Sequence, residues 1–217
     1  MLLQSAQIKE LMTQEAIDWD NRYKSADTPW DSGEPSRELL RVLRERWIGP
    51  CRALELGCGT GTNALILARR GFKMTAVDLS PIALGHAKAK ARKARLKVKF
   101  LEGDALHLPK LGAPFPFVFD RGLYHHLRNV DLKRFRRALA RVTRPGSFYL
   151  TLAGNGNEKD PEGGGPPRVH AHEICLELGP DFDLVQLREF RFDGVRVQGQ
   201  EIHPLAWSAL LRRKERK

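Results

Sequence analysis

The run Glu55-Leu56-Gly57-Cys58-Gly59-Thr60-Gly61 stands between a strand-like stretch and a helix-like one. Glycines there permit a sharp turn and let the backbone approach a ligand with no Cβ in the way. Read from Gly59, the segment Gly59–Ala64 matches G-x-G-x-x-A, the weaker form of a dinucleotide fingerprint that seats a pyrophosphate on a helix N-terminus. Read from Gly57, the sixth position is Thr62 and the fingerprint fails. A nicotinamide-dependent oxidoreductase therefore stays open as one reading. Carboxylates tilt the choice the other way. Glu55 lies where a pyrophosphate would sit, and an acid there suits a ligand carrying an ammonium group. Asp78 closes a second strand, and its two oxygens can accept both hydroxyls of a ribose, which either cofactor needs. Asp104, in Glu102-Gly103-Asp104-Ala105, can accept from an adenine amino group.

A second polar group follows Asp120-Arg121. Tyr124, His125 and His126 are the side chains available to a substrate, and an unperturbed imidazole at His125 could accept a proton near neutral pH. The competing reading has one histidine capping the next helix and the other packed or solvated. His170, His172 and Cys175 are close in sequence, but zinc wants three or four ligands, and only the distant His107 or His203 could complete the set. No metal is expected.

These residues need a frame that brings strand ends together. Short apolar runs at Cys51–Leu56, Phe72–Val77, Val98–Leu101, Phe117–Phe119 and Ser147–Ala153 alternate with helical spacing at Thr62–Arg70, Pro81–Arg95 and Asp131–Val142. Ser80 before Pro81 is a helix start, and Gly71 a helix stop. Pro116 delays the fourth strand to Phe117, because proline is tolerated only at a strand's first residue. Alternation of this kind predicts a Rossmann-like, doubly wound α/β sheet, mostly parallel, with helices on both faces. Leu184–Phe192 and Leu205–Leu211 supply two more strands and make it seven-stranded. Ligands bind such sheets outside the carboxyl ends of the strands, where Gly57, Asp78, Gly103, Asp104 and Asp120 fall. Upstream, Gln4–Ile17 and Pro35–Trp47 read as helices, the second with Leu39, Leu40, Leu43 and Trp47 as its buried stripe. After Ala153 a Gly- and Pro-rich loop runs through Arg168, and a short helix covers His170–Leu178. We expect one domain over 1–217, with 1–47 a helical lid segment and 48–217 the core.

Composition sets the outer bounds. With 217 residues and 41% hydrophobic content the chain can bury one sizeable core. Three cysteines without a CxxC pair suit a reducing compartment. No apolar run approaches the roughly 20 residues of a membrane span, so a cytoplasmic protein without a membrane partner is expected. The net charge of +11 gathers at Lys88–Lys99, Lys133–Arg144 and Arg212–Lys217. Aromatic residues do not interleave with these runs, so solvated helix faces are favoured over a nucleic-acid footprint. The sequence leaves the oligomeric state unspecified.

Glu55–Gly61, Val77-Asp78-Leu79-Ser80, Gly103-Asp104 and Arg144-Pro145-Gly146 together resemble successive motifs of class I S-adenosylmethionine-dependent methyltransferases. Trp19-Asp20, Tyr23, Pro29-Trp30-Asp31, Gly33, Pro35-Ser36, Asp120-Arg121-Gly122, His125-His126-Leu127 and Gly165–Arg168 are similar to the thiopurine, thiol and tellurite methyltransferase-like branch. The resemblance implies S-adenosyl-L-methionine as cofactor. It puts Glu55, Gly57, Cys58, Gly59 and Thr62 at the methionyl end, Asp78 and Leu79 at the ribose, and Gly103, Asp104 and Ala105 at the adenine. Asp120 would lie beside the methionyl group, and Trp30 would close the pocket. Asp120, Arg121, Tyr124 and His125 would surround the reaction centre. The acceptor implied is a small molecule, such as a thiol or a metalloid anion. An RNA or protein acceptor using the basic surface, and a cofactor-binding module without catalysis, are the alternatives.

Overall fold

The structure is a computed structural model describing residues 19–159, 167–197 and 200–215. The helix expected over Gln4–Ile17 and residues 160–166 of the Gly/Pro-rich loop lie outside them. A helical segment, α1, covers 19–24, and α2 spans Arg37–Arg44. The alternating unit follows as β1 (Arg52–Leu56), α3 (Thr62–Arg69), β2 (Lys73–Asp78), α4 (Pro81–Ala94), β3 (Val98–Glu102), β4 (Phe117–Arg121), α5 (Tyr124–Val142) and β5 (Phe148–Asn155). The remainder comprises β6 (Arg168–Val169), α6 (Ala171–Leu178), β7 (Phe182–Arg191), β8 (Val195–Val197), β9 (Gln200–Ile202) and β10 (Leu205–Arg213).

The sheet order is β3-β2-β1-β4-β5-β10-β7, with β6 added beside β5. Strands β1 to β5 pair in parallel, while β10 runs antiparallel to both β5 and β7. This is the expected Rossmann-like sheet with helices on both faces. The two-residue β6 and the separate β8–β9 hairpin are additions to the expected strands.

Local chemistry explains the element ends. Ser80 caps α4, its Oγ accepting from the Ala83 N–H at 3.1 Å, and Pro81 begins the helix where no N–H partner is needed. Phe117 does open β4 after Pro116. The long helix α5 begins at Tyr124 rather than at Asp131. Asp131 is a break inside it (φ −156°, ψ 83°), and the apolar periodicity downstream of the break concealed the first turns. In α2 the buried stripe is Leu39 and Val42, with the Glu38 carboxylate beside them. Trp47, expected in that stripe, lies past the helix end and is 48% exposed.

Period-two alternation sorts side chains to the two faces of the sheet. Ala53 of β1 and Phe117 and Phe119 of β4 join Leu39, Leu67 and Leu84 on the face covered by α2, α3 and α4. Leu54, Leu56 and Val118 join Tyr149, Phe135 and Ile174 on the α5–α6 face. Glu55 thus belongs to the first face and Asp120 to the second. Each fully buried Leu or Phe contributes about 1.5–3 kcal/mol, so both layers are held firmly beneath the strand ends. Among the described residues, no helix is long and apolar enough to cross a membrane.

Candidate active site

The β1–α3 loop turns over the ends of β1 and β2. Gly59 has φ +51°, and a Cβ there would lie 2.6 Å from the Tyr23 hydroxyl. At Gly61 (φ +77°) a Cβ would meet Ala87 at 2.9 Å and the Phe100 ring at 3.1 Å. The first glycine admits a tyrosine onto the loop, and the second lets α3 pack against α4 and β3.

Asp78 fastens this loop. Its two oxygens accept from the Gly59 N–H at 2.6 Å and the Ser80 N–H at 2.9 Å. Its burial raises its pKa, and those N–H bonds oppose the rise. The sequence suggested both oxygens for a ribose; here each already holds one backbone donor, and each keeps one further lone pair. Leu79, next in the chain, is 40% exposed. Asp104 accepts from the Leu106 N–H at 2.8 Å and from His107 Nδ1 at 2.5 Å. Gly103 lies over Val77 and Pro109, and Ala105 is buried.

Glu55 is 1% exposed. The Asn63 side chain and the Ala64 N–H hydrogen-bond it, yet burial dominates and pushes its pKa well above the carboxylate range. Its Oε2 has no partner; among the described residues only Ser208 Oγ is in the same position. A buried carboxylate oxygen left unsatisfied costs on the order of 1–3 kcal/mol. It asks for a donor from outside the chain, and an ammonium group satisfies it. Cys58, beside it, is buried with its thiol pKa raised by that burial and by Asp78 and Glu55.

An N-terminal strap covers the loop. The Asp20 carboxylate bonds the Ser80 hydroxyl. Asp31 Oδ2 accepts from Thr60 Oγ1 at 2.6 Å, and Lys90 on α4 donates to Thr60 Oγ1 at 2.6 Å and to Thr62 Oγ1 at 3.3 Å. Trp30 Nε1 donates to the Tyr23 hydroxyl at 3.3 Å. Trp19 meets Trp30 and His126 edge-on, with ring centroids 5.3 and 5.5 Å away. Burial, with Asp78 nearby, keeps the Tyr23 phenol protonated far above its ordinary range. The roles of Asp20, Asp31 and Thr60 were not visible in sequence, because their partners lie 60 and 29 positions apart.

At the end of β4, Asp120 is fully buried and accepts four hydrogen bonds. Leu123 N–H, Tyr124 N–H and Thr151 Oγ1 donate to Oδ1, and Tyr149 Oη to Oδ2 at 2.5 Å. Burial lifts its pKa to about 6 against those bonds. These bonds tie it to the start of α5 and to the β5 tyrosine. Tyr124 stacks on Phe135, and its hydroxyl donates to Glu177 at 2.6 Å in the α5–α6 interface. His125 accepts the Gly154 N–H on Nδ1 at 2.7 Å, and burial depresses its pKa to about 3, helped by His126 and Arg121. It is a neutral, fixed imidazole rather than a base. Arg121 is anchored by two backbone carbonyls. It donates to Trp30 O at 2.9 Å and Asp193 O at 3.1 Å, with its guanidinium over the Phe192 ring. Burial lowers its pKa.

His170 caps α6 in a capping box with Glu173, and its ring stacks on His172, while Cys175 is exposed. Among the described residues no three His, Cys, Asp or Glu are placed to hold a metal ion.

A mostly parallel sheet with its last strand antiparallel, a glycine loop after β1, acids within the ends of β1 and β2 and another just past β3 make up a Rossmann-like methyltransferase fold. In comparison with known proteins, residues 53–146 match the family described as "Methyltransferase domain". The chain is 28% identical to a 2-heptyl-1-hydroxyquinolin-4(1H)-one methyltransferase of Mycobacteroides abscessus, over 69% of this chain and 66% of that protein. It spans between about a third and two thirds of the length of the curated relatives it matches. A solved structure described as "Conversion of a Disulfide Bond into a Thioacetal Group during Echinomycin Biosynthesis" superposes with TM-score 0.81 at 25% identity, covering 92% of this chain and 93% of that one. TehB from Haemophilus influenzae superposes with TM-score 0.67 at 19% identity over 80% of this chain and 61% of that one, a likeness of fold.

Proposed function

We propose that this chain transfers the methyl group of S-adenosylmethionine to a small-molecule acceptor, a soft nucleophile such as a thiol or a metalloid anion. The observation that carries the acceptor class is the commitment of the acid–base groups after β4. Asp120 holds four donors, Tyr124 is bonded to Glu177, and His125 is neutral with its Nδ1 occupied. None is free to take a proton, which suits an acceptor that arrives already ionised. The echinomycin relative supports chemistry at sulfur, and the hydroxyquinolone relative supports a small acceptor.

When bound, the cofactor supplies a methyl group on an electron-poor sulfonium. Glu55 Oε2 would take its ammonium group, the Gly57–Gly61 loop its methionyl chain and the free lone pairs of Asp78 its ribose. Leu79 would lie beside the ribose, and Gly103, Asp104 and Ala105 would border the adenine. Tyr23 and Trp30 exclude water from above the loop, so alignment of nucleophile and methyl is left as the main demand on the protein. Arg121 gives the reaction end a buried positive charge that draws an anionic acceptor, and His126, edge-on to Trp19, lines the same end. Three free cysteines fit a reducing, cytoplasmic setting.

The test is thermal unfolding with S-adenosylhomocysteine, with NADH in parallel, followed by a labelled methyl donor offered to thiols, metalloid anions and RNA. Ligand at 100 times its dissociation constant should add about 2.7 kcal/mol, a shift of roughly 5–10 °C. Label on a thiol or metalloid anion supports the acceptor class. Label on RNA alone overturns it, and a shift only with NADH overturns the methyltransferase.

A further inference from the structure

The net charge of +11 is concentrated rather than spread. Residues 57–101 hold ten Lys or Arg and one acid, Asp78, so nine of the eleven charges fall in about a fifth of the chain. Asp78 is turned inward, with both oxygens on backbone N–H groups at the cofactor end. Nothing acidic in this unit neutralises its outer surface.

The topology gathers these cations at one end. α3 and α4 run back along the parallel strands they connect, so their C-termini meet the first residues of β2 and β3. Arg69 and Arg70 close α3, and Lys73 opens β2. Arg92, Lys93 and Arg95 close α4, and Lys97 and Lys99 lie on the edge strand β3 or just before it. Met74 pairs with Val98, which makes Lys73 and Lys97 lateral neighbours. All eight side chains are exposed, and within the described residues none makes an ion pair or a side-chain hydrogen bond.

Several cations elsewhere are paired, whereas Lys133 and Arg137 on α5 make no ion pair among the described residues. Arg128 is bound to Glu173 and Glu177, Arg136 and Arg213 to Asp181, and Arg134 to Asp131. Cations at the ends of α3 and α4 complement the helix dipoles, but Lys73, Lys97 and Lys99 have no such role. Within 57–101 the one exposed large apolar side chain is Leu79, at the opposite end of the sheet. A surface with neither apolar nor aromatic side chains neither inserts into a bilayer nor stacks on bases. It matches a phosphate backbone, read by charge alone.

We propose that the β2–β3 base of the sheet, with the C-terminal ends of α3 and α4, is a docking surface for the phosphate backbone of duplex nucleic acid. It lies at the end of the strands remote from the glycine loop, so docking leaves the cofactor pocket open.

The experiment is fluorescence anisotropy of a labelled RNA duplex of roughly 20 base pairs, titrated between about 50 and 200 mM salt. Wild type is compared with K97E/K99E and with K133E/R137E, which changes the charge equally on α5. The proposal expects steeply salt-dependent binding, weakened at least about tenfold in K97E/K99E with the log–log salt slope reduced by about 2, and near-wild-type binding in K133E/R137E. The S-adenosylhomocysteine shift should be the same in all three and with duplex present, which shows the variants folded and separates this outcome from the fate of the methyltransferase reading. Absence of salt-dependent binding, equal loss in both variants, or binding to phosphatidylserine vesicles but not to the duplex would overturn it.

Discussion

Asp31 and Thr60, 29 positions apart, share a 2.6 Å hydrogen bond that fastens the N-terminal strap to the glycine loop. Lys90 stands behind it, donating to the same threonine oxygen at 2.6 Å, so the strap, the loop and α4 meet at one atom. Charge-assisted bonds of this kind contribute about 1.5–3 kcal/mol. Asp31→Ala should therefore lower the ligand-free melting temperature by several degrees and weaken S-adenosylhomocysteine binding by about tenfold or more in calorimetric titration. Unchanged affinity would mean that the strap takes no part in holding the cofactor.

Glu55 yields a prediction of opposite sign in two states. Its buried carboxyl is held well above the ordinary pKa, so its ionised form opposes folding as pH rises through that raised value. Glu55→Gln removes the charge and should stabilise the ligand-free protein near neutral pH. The same change removes the anion proposed for the cofactor ammonium. Affinity for S-adenosylhomocysteine should then fall about 10- to 100-fold, while 5′-methylthioadenosine, which lacks the amino-acid portion and its ammonium, should bind as before. Equal losses for the two ligands would place the ammonium elsewhere.

Much of this fold was legible in the residues because its signals are local. The alternation from Cys51 to Ala153, Ser80 before Pro81 and Pro116 before β4 each act within a few positions. Gly59 and Gly61 declared a tight loop for the same reason. What stayed hidden depends on which way a side chain turns. Tyr124 and His125 follow Asp120-Arg121 at positions that invite chemistry, yet the first turns of α5 point them into the α5–α6 core and toward Gly154. Asp120 looked like a ligand-facing acid, and only the parity of β4 against Tyr149 of β5 shows it facing the other layer. Trp47 was misplaced because α2 ends a turn earlier than the apolar spacing suggested.

Tyr124 offers a direct check on that reassignment. Its hydroxyl reaches Glu177, which also holds Arg128. Tyr124→Phe removes one bond from this network and should cost roughly 1–2 kcal/mol in urea denaturation. Methyl transfer to the acceptor found in the screen should stay within about twofold of wild type. A large loss of turnover without loss of stability would return Tyr124 to the reaction centre.

His125 sets a pH dependence whose sign follows from its burial. Its pKa falls from 6.5 to about 3 in the folded protein, so protons bind the unfolded chain first. The stability it contributes is complete above about pH 6.5 and is lost as pH falls toward 3. From about pH 7.5 to about pH 5.5 the loss is on the order of 1 kcal/mol. Asp120 works against it: with its pKa raised to about 6, its contribution is full below the ordinary carboxylate value and fades as pH rises through 6. Wild type should therefore show a shallow profile in which the two terms partly cancel. His125→Gln should remove the acid-side loss and leave a protein that gains stability on mild acidification. Asp120→Asn should expose the histidine alone and steepen the loss. Urea midpoints of the three proteins across that range decide the matter, since identical slopes would mean that neither group is as deeply held as its hydrogen bonds to Gly154 and Tyr149 imply.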